Sequence, residues 1–376
     1  MSDAARSDRA DPAAGQTDAI ARLRLIRTPG IGPVTFRQLI DRFGDAAQAV
    51  EAVPTLARRG GGTAPAVPAA AVVEREMAAV ARLGARYLFL GEHNYPSLLA
   101  ELENAPPALV VRGDPALARR SPVAMVGARN ASAAACRFAR GMAQELAAGG
   151  GVVVSGLARG IDTAAHVGAL ADGTIAVIAG GIDVVFPPEN DRLQEEIAER
   201  GLLVAEMPPG TEPRARHFPH RNRIIAGLSH GTVVVEAAPR SGSLITARLA
   251  GEAGREVMAV PGSPLDPRAQ GCNLLIRDGA TLVQTAADVL EQIRPLDARV
   301  VRAPVSGFRG PPPEDASDKA RGEIIALLGP VPVAVDEVVR QSGWPPAVVH
   351  MVLLELELAG RLDRHAGGRV SLSPIS

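Results

Sequence analysis

The sequence predicts an α/β protein built on a doubly wound, mostly parallel β-sheet. Beyond about Arg86, short segments rich in valine, isoleucine and leucine alternate with longer segments that have the apolar spacing of helices. Several of the apolar segments run directly into glycines, as buried strands of such sheets do where they turn into helices. Continuous apolar strands are buried on both faces, which favours a parallel sheet covered by helices on both sides.

Eight segments have the length and composition of buried strands. They are residues 87–90, 123–126, 152–154, 175–178, 202–205, 233–235, 257–260 and 281–283. After the second of them, residues 132–148 place Phe138, Met142 and Leu146 at four-residue steps, which predicts a helix with an apolar stripe against the sheet. Ligands bind such sheets beyond the carboxyl ends of the strands, so the residues that follow each strand are the candidate site.

A small helical domain is predicted ahead of the sheet, over residues 18–80, after a disordered tail of residues 1–17. Two amphipathic segments flank the sequence T-P-G-I-G-P, which is the helix-hairpin-helix (SAM-like) pattern. The amides of such a hairpin can hold a DNA phosphate. Gly30 and Gly32 can equally serve only to turn the chain, and both interpretations stay open. The glycine-rich residues 58–68 predict a flexible connector.

The C-terminal part predicts a linker over residues 296–317 and a winged-helix domain over residues 318–376. Three helical segments are followed by two short strands that meet at Ala366-Gly367-Gly368. The third helix contains two glutamates and no arginine or lysine. A helix that enters the DNA major groove carries basic or amide side chains, so this domain is predicted to bind protein or to be structural.

Composition and charge exclude several classes of protein. The chain has 376 residues, enough for two or three domains, and a formal net charge of −1, so any basic site must be local. Lys319 is the only lysine, which excludes a Walker-type phosphate loop and Schiff-base chemistry. Two distant cysteines, Cys136 and Cys272, argue against a zinc cluster and for a reducing compartment. Without a signal peptide or an apolar run of bilayer length, a cytoplasmic protein with no membrane partner is expected.

One glycine-rich turn is the centre of the predicted site. Residues 152–166 read V-V-V-S-G-L-A-R-G-I-D-T-A-A-H, a buried strand that turns into a helix with Asp162 as the predicted N-cap. Such a turn leaves N–H groups free to bind an anion, and Arg159 adds positive charge to it. The sequence therefore predicts an anion-binding turn.

A second stretch indicates which anion. Between Pro213 and His230 there are four arginines, three histidines and no acidic residue, beside Phe218. Arginines for phosphates and an aromatic ring for stacking are the combination that single-stranded nucleic acid requires. Phe218 can stack on a base or belong to the core, and both interpretations stay open.

Competing sites are less well supported. The loop G-A-R-N-A-S does not have the glycine spacing of a dinucleotide site, and the next strand ends in serine rather than an acid. His217 and His220 are predicted to be exposed loop histidines rather than metal ligands. Asp162 and His166 lie one helical turn apart and could pair, but no serine or cysteine is placed to complete a catalytic triad.

Six stretches are more specific than these features. In order they are V-A-M-V-G-A-R, S-G-L-A-R-G-I-D-T-A-A-H, G-T-I-A-V-I-A-G-G-I-D-V-V-F-P-P-E-N, F-P-H-R-N-R-I-I-A-G-L-S, S-G-S-L-I-T-A-R-L-A-G-E-A-G-R-E-V-M-A-V-P-G and G-C-N-L-L-I-R-D-G-A. Together, over roughly residues 85–292, they closely resemble the bacterial DNA-processing protein A family (DprA, also called Smf). The flanking segments resemble, more weakly, the N-terminal helical and C-terminal winged-helix domains of that family.

The resemblance implies a Rossmann-like domain over residues 81–295 that binds single-stranded DNA. It implies no catalytic activity, no cofactor and no metal. It further implies homodimers that help to load the RecA recombinase during natural transformation. The expected partners are therefore single-stranded DNA, RecA, single-strand-binding protein and a second copy of the chain, and the expected dimer face lies around residues 274–290.

Position by position, the resemblance implies a set of DNA-binding residues in four loops. They are Gly127, Arg129, Ser155, Gly156, Arg159, Gly160, Phe218, Arg221, Asn222, Arg223, Ser241, Gly242 and Ser243. Ala128 stands where the family more often has serine or threonine, which removes one possible hydroxyl contact.

Two other functions remain as alternatives. A nucleotide-processing enzyme resembling the phosphoribohydrolases would use a P-G-G-x-G-T-x-x-E loop, whereas the corresponding stretch here, V-E-A-A-P-R-S-G-S-L-I-T-A, lacks the glycine pair and the acid that follows it. A pure protein-interaction scaffold would bind no oligonucleotide at all.

Overall fold

The structure is a computed structural model that describes residues 12–293, 315–365 and 367–373. Contacts divide the described residues into two compact units. One contains the residues up to Glu74 together with those from 315 onwards, and the other runs from Arg75 to Ile293. The predicted tail before Pro12 and nearly all of the predicted linker, residues 296–314, lie outside the described residues. The domain boundaries predicted from the sequence stay predictions.

The first unit begins with three helices, α1 (Pro12–Ile26), α2 (Pro33–Phe43) and α3 (Ala46–Arg59). Residues 12–17 were predicted to be disordered, and the structure corrects this because α1 already includes them. Helix formation is cooperative, so the second half of α1, which buries Leu23 and Leu25, supports an alanine-rich extension towards the N-terminus. Asp45 caps α3 by accepting a hydrogen bond from the Gln48 amide over 2.8 Å.

The second unit is built on one nine-stranded sheet with the order β1-β2-β6-β5-β4-β3-β7-β8-β9. The strands are β1 (Arg86–Phe89), β2 (Ala108–Gly113), β3 (Ser121–Gly127), β4 (Gly151–Ser155), β5 (Thr174–Ile178), β6 (Leu202–Ala205), β7 (Gly231–Val235), β8 (Glu256–Ala259) and β9 (Thr281–Leu282). All strands from β6 across to β9 are parallel, and β1 and β2 are antiparallel at one edge. This confirms the predicted mostly parallel sheet and all eight predicted strands. Only β2 is missing from the prediction.

Helices cover both faces of this sheet. They are α4 (Ala70–Arg82), α5 (Ser97–Ala100), α6 (Ala133–Ala148), α7 (Ile161–Ala169), α8 (Asp191–Arg200), α9 (His217–Gly227), α10 (Gly242–Glu252), α11 (Gln270–Arg277) and α12 (Ala286–Ile293). Successive residues of β3 belong to different cores, because strand side chains alternate between faces. Val123 and Met125 pack with α6, α7 and α12, whereas Ala124 and Val126 pack with α9 and α10.

The C-terminal part of the first unit is a winged helix, as predicted. Its elements are α13 (Asp318–Ala326), β10 (Val333–Ala334), α14 (Val335–Ser342), α15 (Pro346–Leu358), β11 (Leu362–His365) and β12 (Arg369–Leu372). The three short strands form one antiparallel sheet in the order β10-β12-β11. Within this unit, α15 packs against α3 and joins the residues near the two ends of the chain in one hydrophobic core.

The glycine-rich segment after α3 is packed against α15, which corrects the prediction of a flexible connector. A side chain at Gly60 would overlap the Glu355 carbonyl oxygen, and one at Gly62 would overlap that of Ala359. These glycines allow close approach of two backbones. The helix-hairpin-helix turn also faces α15, since a Cβ at Gly30 would lie 4.0 Å from the Glu357 carbonyl oxygen. The contact at Gly30 favours a packing role for this hairpin.

None of the helices in the described part of the chain combines the length and the apolar character needed to span a bilayer.

Candidate functional site

The candidate site lies beyond the carboxyl ends of the parallel strands, which is the edge of the sheet where a ligand was expected to bind. β3 is central, and the chain order reverses between β3 and β7, so the loops after these two strands open a crevice. A groove of about 640 Å³ occupies this crevice. A smaller cavity of about 290 Å³ adjoins it beside the loops after β4 and β5.

Arg129 and Phe218 border both cavities. The Arg129 guanidinium carbon lies 5.0 Å from the centre of the Phe218 ring, a cation–π distance. Arg129 is exposed, and Phe218 is half-buried with its ring 5.6 Å from that of Phe186. Two side chains predicted from different motifs are thus brought together, and an arginine and an aromatic face meet at the middle of the site.

The glycine turn after β4 already holds a carboxylate. Oδ2 of Asp162 accepts hydrogen bonds from the amides of Gly156 (3.1 Å) and Ala158 (3.3 Å). The helix N-cap is Gly160, which has φ +74°, so the predicted N-cap role of Asp162 is wrong. Burial raises the pKa of Asp162, and the charge of nearby Arg221 opposes that shift. Two amides of the predicted anion-binding turn, those of Gly156 and Ala158, are therefore already bonded to the Asp162 side chain.

Arg221 lies beneath this turn and borders both cavities while being only 5% exposed. Its Nη1 donates to the carbonyl of Val177 over 3.1 Å, and its Nε has no hydrogen-bond partner among the described residues. Burial lowers the pKa of Arg221 to about 10. A Cβ on Gly156 would overlap the guanidinium, so a side chain at this position would displace Arg221 from its present place.

Arg223, two residues further along α9, does not reach either cavity. Its Nη2 donates to Oε1 of Glu206 over 2.6 Å, and the two side chains are 8% and 20% exposed. Arg223, which was predicted to bind DNA, therefore forms a buried ion pair with Glu206 that neutralises its charge. The physical reason is that α9 is a helix, and Arg223 falls on the face that packs against the protein.

Three other predicted residues shape the loops from the inside. The Ser155 hydroxyl is fully buried and donates to the Met125 carbonyl over 2.6 Å, so it cannot contact a ligand. A Cβ on Gly127 would overlap the Val235 carbonyl oxygen, and one on Gly160 would overlap that of Ala128. The two glycines allow the β3 loop, the β4 loop and β7 to approach closely.

The loop after β7 lines the far wall of the groove. Ser241 is the N-cap of α10, and its hydroxyl accepts a hydrogen bond from the Ser243 amide over 3.3 Å. Asn222 donates from Nδ2 to the Gly242 carbonyl over 3.4 Å, which ties α9 to this loop. These four residues all border the groove, and their predicted role in DNA binding stays a prediction.

Arg159 borders the smaller cavity and forms an ion pair with Glu189. Both side chains are more than half exposed, so solvent screens the pair and little free energy is needed to exchange its partner. Among the predicted residues, Arg129 and Arg159 are the exposed cations of the site.

One of the three histidines, His217, is placed differently from the prediction. His217 begins α9 and is buried, with Nδ1 accepting from the Arg214 amide over 3.2 Å; burial and the neighbouring arginines lower its pKa. His220 is exposed, as predicted. His166 is fully buried, its Nδ1 lies 2.7 Å from the Thr174 hydroxyl, and burial lowers its pKa to about 3.

Asp162 and His166 therefore bond to different partners and form no catalytic pair. No group of three or more His, Cys, Asp or Glu side chains in the described ranges is arranged to hold a metal ion.

The sequence analysis did not include Asn130, Phe186 or Arg240, which border the cavities. Arg240 is exposed and has φ +66°, so its backbone adopts a conformation that is uncommon outside glycine. Phe186 lies within a quoted motif, and Asn130 and Arg240 directly adjoin two others at Arg129 and Ser241, so proximity in sequence was the available signal.

The chain is similar to known proteins in both of its units. The family model described as DNA recombination-mediator protein A matches residues 86–294. The models of a DprA-like N-terminal HHH domain and a DprA winged helix domain match residues 16–79 and 309–368. Among relatives, DNA processing protein DprA of Streptococcus pneumoniae is 48% identical over 204 residues, which cover 53% of this chain and 71% of that protein. Protein Smf of Escherichia coli is 41% identical over 281 residues, which cover 74% of this chain and 75% of that protein.

Two solved structures are also similar. The X-ray structure of DNA processing protein A from S. pneumoniae has a TM-score of 0.66 at 37% identity, covering 73% of this chain and 98% of that one. A structure that describes the single-stranded DNA binding mode of DNA processing protein A from Helicobacter pylori has a TM-score of 0.50 at 29% identity. It covers 55% of this chain and 94% of that one.

Proposed function

This chain belongs to the DNA recombination-mediator protein A (DprA/Smf) family, and from that premise we propose that the loops beyond β3, β4 and β7 bind single-stranded DNA. The observation that carries the proposal is the position of Arg129 over Phe218 between the groove and the smaller cavity. A single strand needs cations for its backbone and a π-face for its unstacked bases, and this pair supplies both at one point.

The phosphates would be held by side chains that can reach them. Arg129, Arg159 and Arg240 are exposed around the cavities, and the largely buried Arg221 borders both cavities from below. Ser241 and the first turn of α10 add hydroxyl and backbone donors on the opposite wall. Ser155 and Gly160, which border neither cavity, would act only by shaping these loops, whereas Gly127 also borders the groove.

The proposed role of the groove is binding without a reaction. Phosphate contacts from arginine forks are non-covalent, and a strand bound in this way is released unchanged. The proposed function accordingly contains no bond-breaking step. An oligonucleotide incubated with the protein should be recovered at its original length.

We further propose that the chain forms homodimers and helps to load RecA onto the bound strand, as the family resemblance implies. The expected dimer face, residues 274–290, includes Leu274 and Leu282, which are 39% and 47% exposed. Thr281 and Leu282 form β9, the last strand of the sheet. An exposed apolar edge of this kind is favourable for association with a second copy.

The experiment that tests DNA binding is a titration of labelled single-stranded and double-stranded oligonucleotides at two salt concentrations. The single strand should bind more tightly, and its affinity should fall as salt rises because phosphate contacts release counterions. Arg129→Ala should weaken binding by about tenfold or more and lower the salt slope by about one unit.

Arg248→Ala is the matched control. It removes one arginine from α10 that forms an exposed ion pair with Glu252 and borders neither cavity. Its affinity should stay within about twofold of the wild type. Equal binding of single and double strands, or equal losses in the two variants, would show that the groove is not the binding site.

A further inference from the structure

We propose that Glu236 is a positioning residue that holds the Arg129 loop in its binding conformation. The proposal rests on the proposed single-stranded DNA binding and extends it to a residue that contacts neither cavity of the site. Glu236 follows β7, and its side chain is 10% exposed.

Glu236 clamps the loop after β3 at both ends. Its carbonyl oxygen accepts a hydrogen bond from the Ala128 amide over 2.7 Å. Its carboxylate oxygen Oε2 accepts one from the Ser132 amide over 2.6 Å. Between these two bonds lie Arg129 and Asn130, both exposed and both bordering the cavities. The residue that follows β7 thus determines where the loop leaves β3 and where it enters α6.

The backbone of Glu236 is strained, which indicates that this position is constrained by its contacts. Its φ is +53°, in the left-handed region that a side chain with a Cβ adopts at a cost. Glycine or asparagine would relieve that strain but could not place an acceptor at the Ser132 amide from the same distance. The long carboxylate side chain of Glu236 is therefore needed to reach the Ser132 amide.

Because Glu236 is negatively charged, the direction in which its removal changes DNA affinity tests the proposal. Besides the Ser132 amide, the carboxylate faces Nε of Arg268 at 3.6 Å. Removal of a negative charge near a DNA site should strengthen binding if charge alone matters. If instead Glu236 acts by holding the loop, its removal should weaken binding, because Arg129 is no longer held over Phe218.

The experiment compares Glu236→Ala with Glu236→Gln in the full chain, using a labelled single-stranded oligonucleotide. Glutamine keeps an acceptor oxygen for the Ser132 amide and removes the charge, whereas alanine removes both, and each keeps a Cβ at the strained φ. We expect Glu236→Ala to weaken binding by about tenfold and Glu236→Gln to stay within about twofold of the wild type or to bind more tightly. Glu252→Ala removes an exposed acidic residue from the same unit and serves as the charge control.

The same variants are then combined with Arg129→Ala. If Glu236 acts through Arg129, Glu236→Ala should cause little further loss of affinity in a chain that already carries Arg129→Ala. The effects of two substitutions that act through one interaction do not add. A full tenfold loss in both backgrounds would show a general structural effect and would overturn the proposal. Unchanged or tighter binding by Glu236→Ala would overturn it as well.

Hydrogen exchange provides a readout without DNA. Amides of residues 128–132 should exchange faster in Glu236→Ala than in Glu236→Gln, because only the alanine variant loses the acceptor. Equal exchange in the two variants would contradict the clamp. If the wild type itself binds no single strand, the proposed function fails; if wild type and Arg129→Ala behave as expected while Glu236→Ala binds normally, only the clamp fails.

Discussion

Burial separates the arginines of α9 and its preceding loop into two groups. Arg214 and Arg216 are exposed, whereas Arg221 and Arg223 are buried, with only 5% and 7% of their surface exposed. The buried pair differs again, since Arg223 is paired with Glu206 and borders neither cavity, whereas Arg221 borders both. Residue type alone therefore does not assign an arginine to the proposed DNA site.

Arg223→Ala should lower stability rather than DNA affinity. The substitution leaves the Glu206 carboxylate without its partner in a partly buried position, which should reduce the free energy of unfolding by about 2 kcal/mol. Denaturant unfolding measures this loss, and Arg248→Ala, which breaks an exposed pair, should change the value by less than about 0.5 kcal/mol. A tenfold loss of affinity with an unchanged unfolding curve would instead place Arg223 in the binding site.

His166 should make the protein sensitive to acid. Its folded-state pKa of about 3 lies below the ordinary value of 6.5, so the unfolded chain binds the proton first. Stability from the neutral imidazole is complete above pH 6.5 and is lost as pH falls towards 3, by about 2 kcal/mol at pH 5. The unfolding free energy of His166→Gln should fall less steeply than that of the wild type between pH 7 and pH 5. Parallel pH profiles for the two proteins would contradict this assignment.

At the scale of elements, α15 is a core helix and not a recognition helix. Glu355 is 1% exposed and accepts from Arg321 over 2.8 Å, while Glu357 accepts from Arg364 over 2.9 Å. Both glutamates that argued against DNA binding in the sequence are thus used inside the first unit. The apolar side chains of α15, among them Val349 and Leu353, join α3 in one core.

The glycines after α3 make this packing possible. Gly62→Ala would bring a methyl group into the Ala359 backbone and should destabilise the first unit by about 1–3 kcal/mol. Gly322→Ala is the control, because a methyl group there meets nothing within 4 Å in the interior of α13. It should stabilise the unit by about 0.5–1 kcal/mol. Trp344 is the sole tryptophan and packs on this core, so its fluorescence reports the unfolding of this unit. Equal unfolding midpoints for the two variants would contradict the close approach.

At the scale of the whole molecule, segments from the two ends of the sequence form a single unit. Val53 and Leu56 of α3 share a core with Leu356 of α15, about three hundred residues later. Arg361 also donates to the Gly60 carbonyl over 2.9 Å. The N-terminal helices therefore depend on the winged helix for burial of one face.

A chain truncated after residue 293 should lose the fold of its N-terminal helices. Without α15, the apolar face of α3 is exposed, which favours local unfolding and association. Limited proteolysis followed by mass spectrometry should show faster cleavage within residues 12–74 than in the full chain, with the sheet of the second unit equally resistant in both. If residues 12–74 resist cleavage equally in the two chains, the helices fold without the winged helix.

The sequence by itself determined the class of sheet, nearly every strand and the loops that carry the site. Strand and helix periodicity are local properties, and the quoted motifs lie directly after the strands that position them. Long-range contacts decided the rest, namely that Asp162 occupies the amides of the glycine turn, that Glu206 neutralises Arg223, and that α3 and α15 share a core. The reason is that burial and hydrogen-bond partners depend on residues that come into contact only when the chain is folded. Neither the spacing nor the composition of the sequence indicates those contacts.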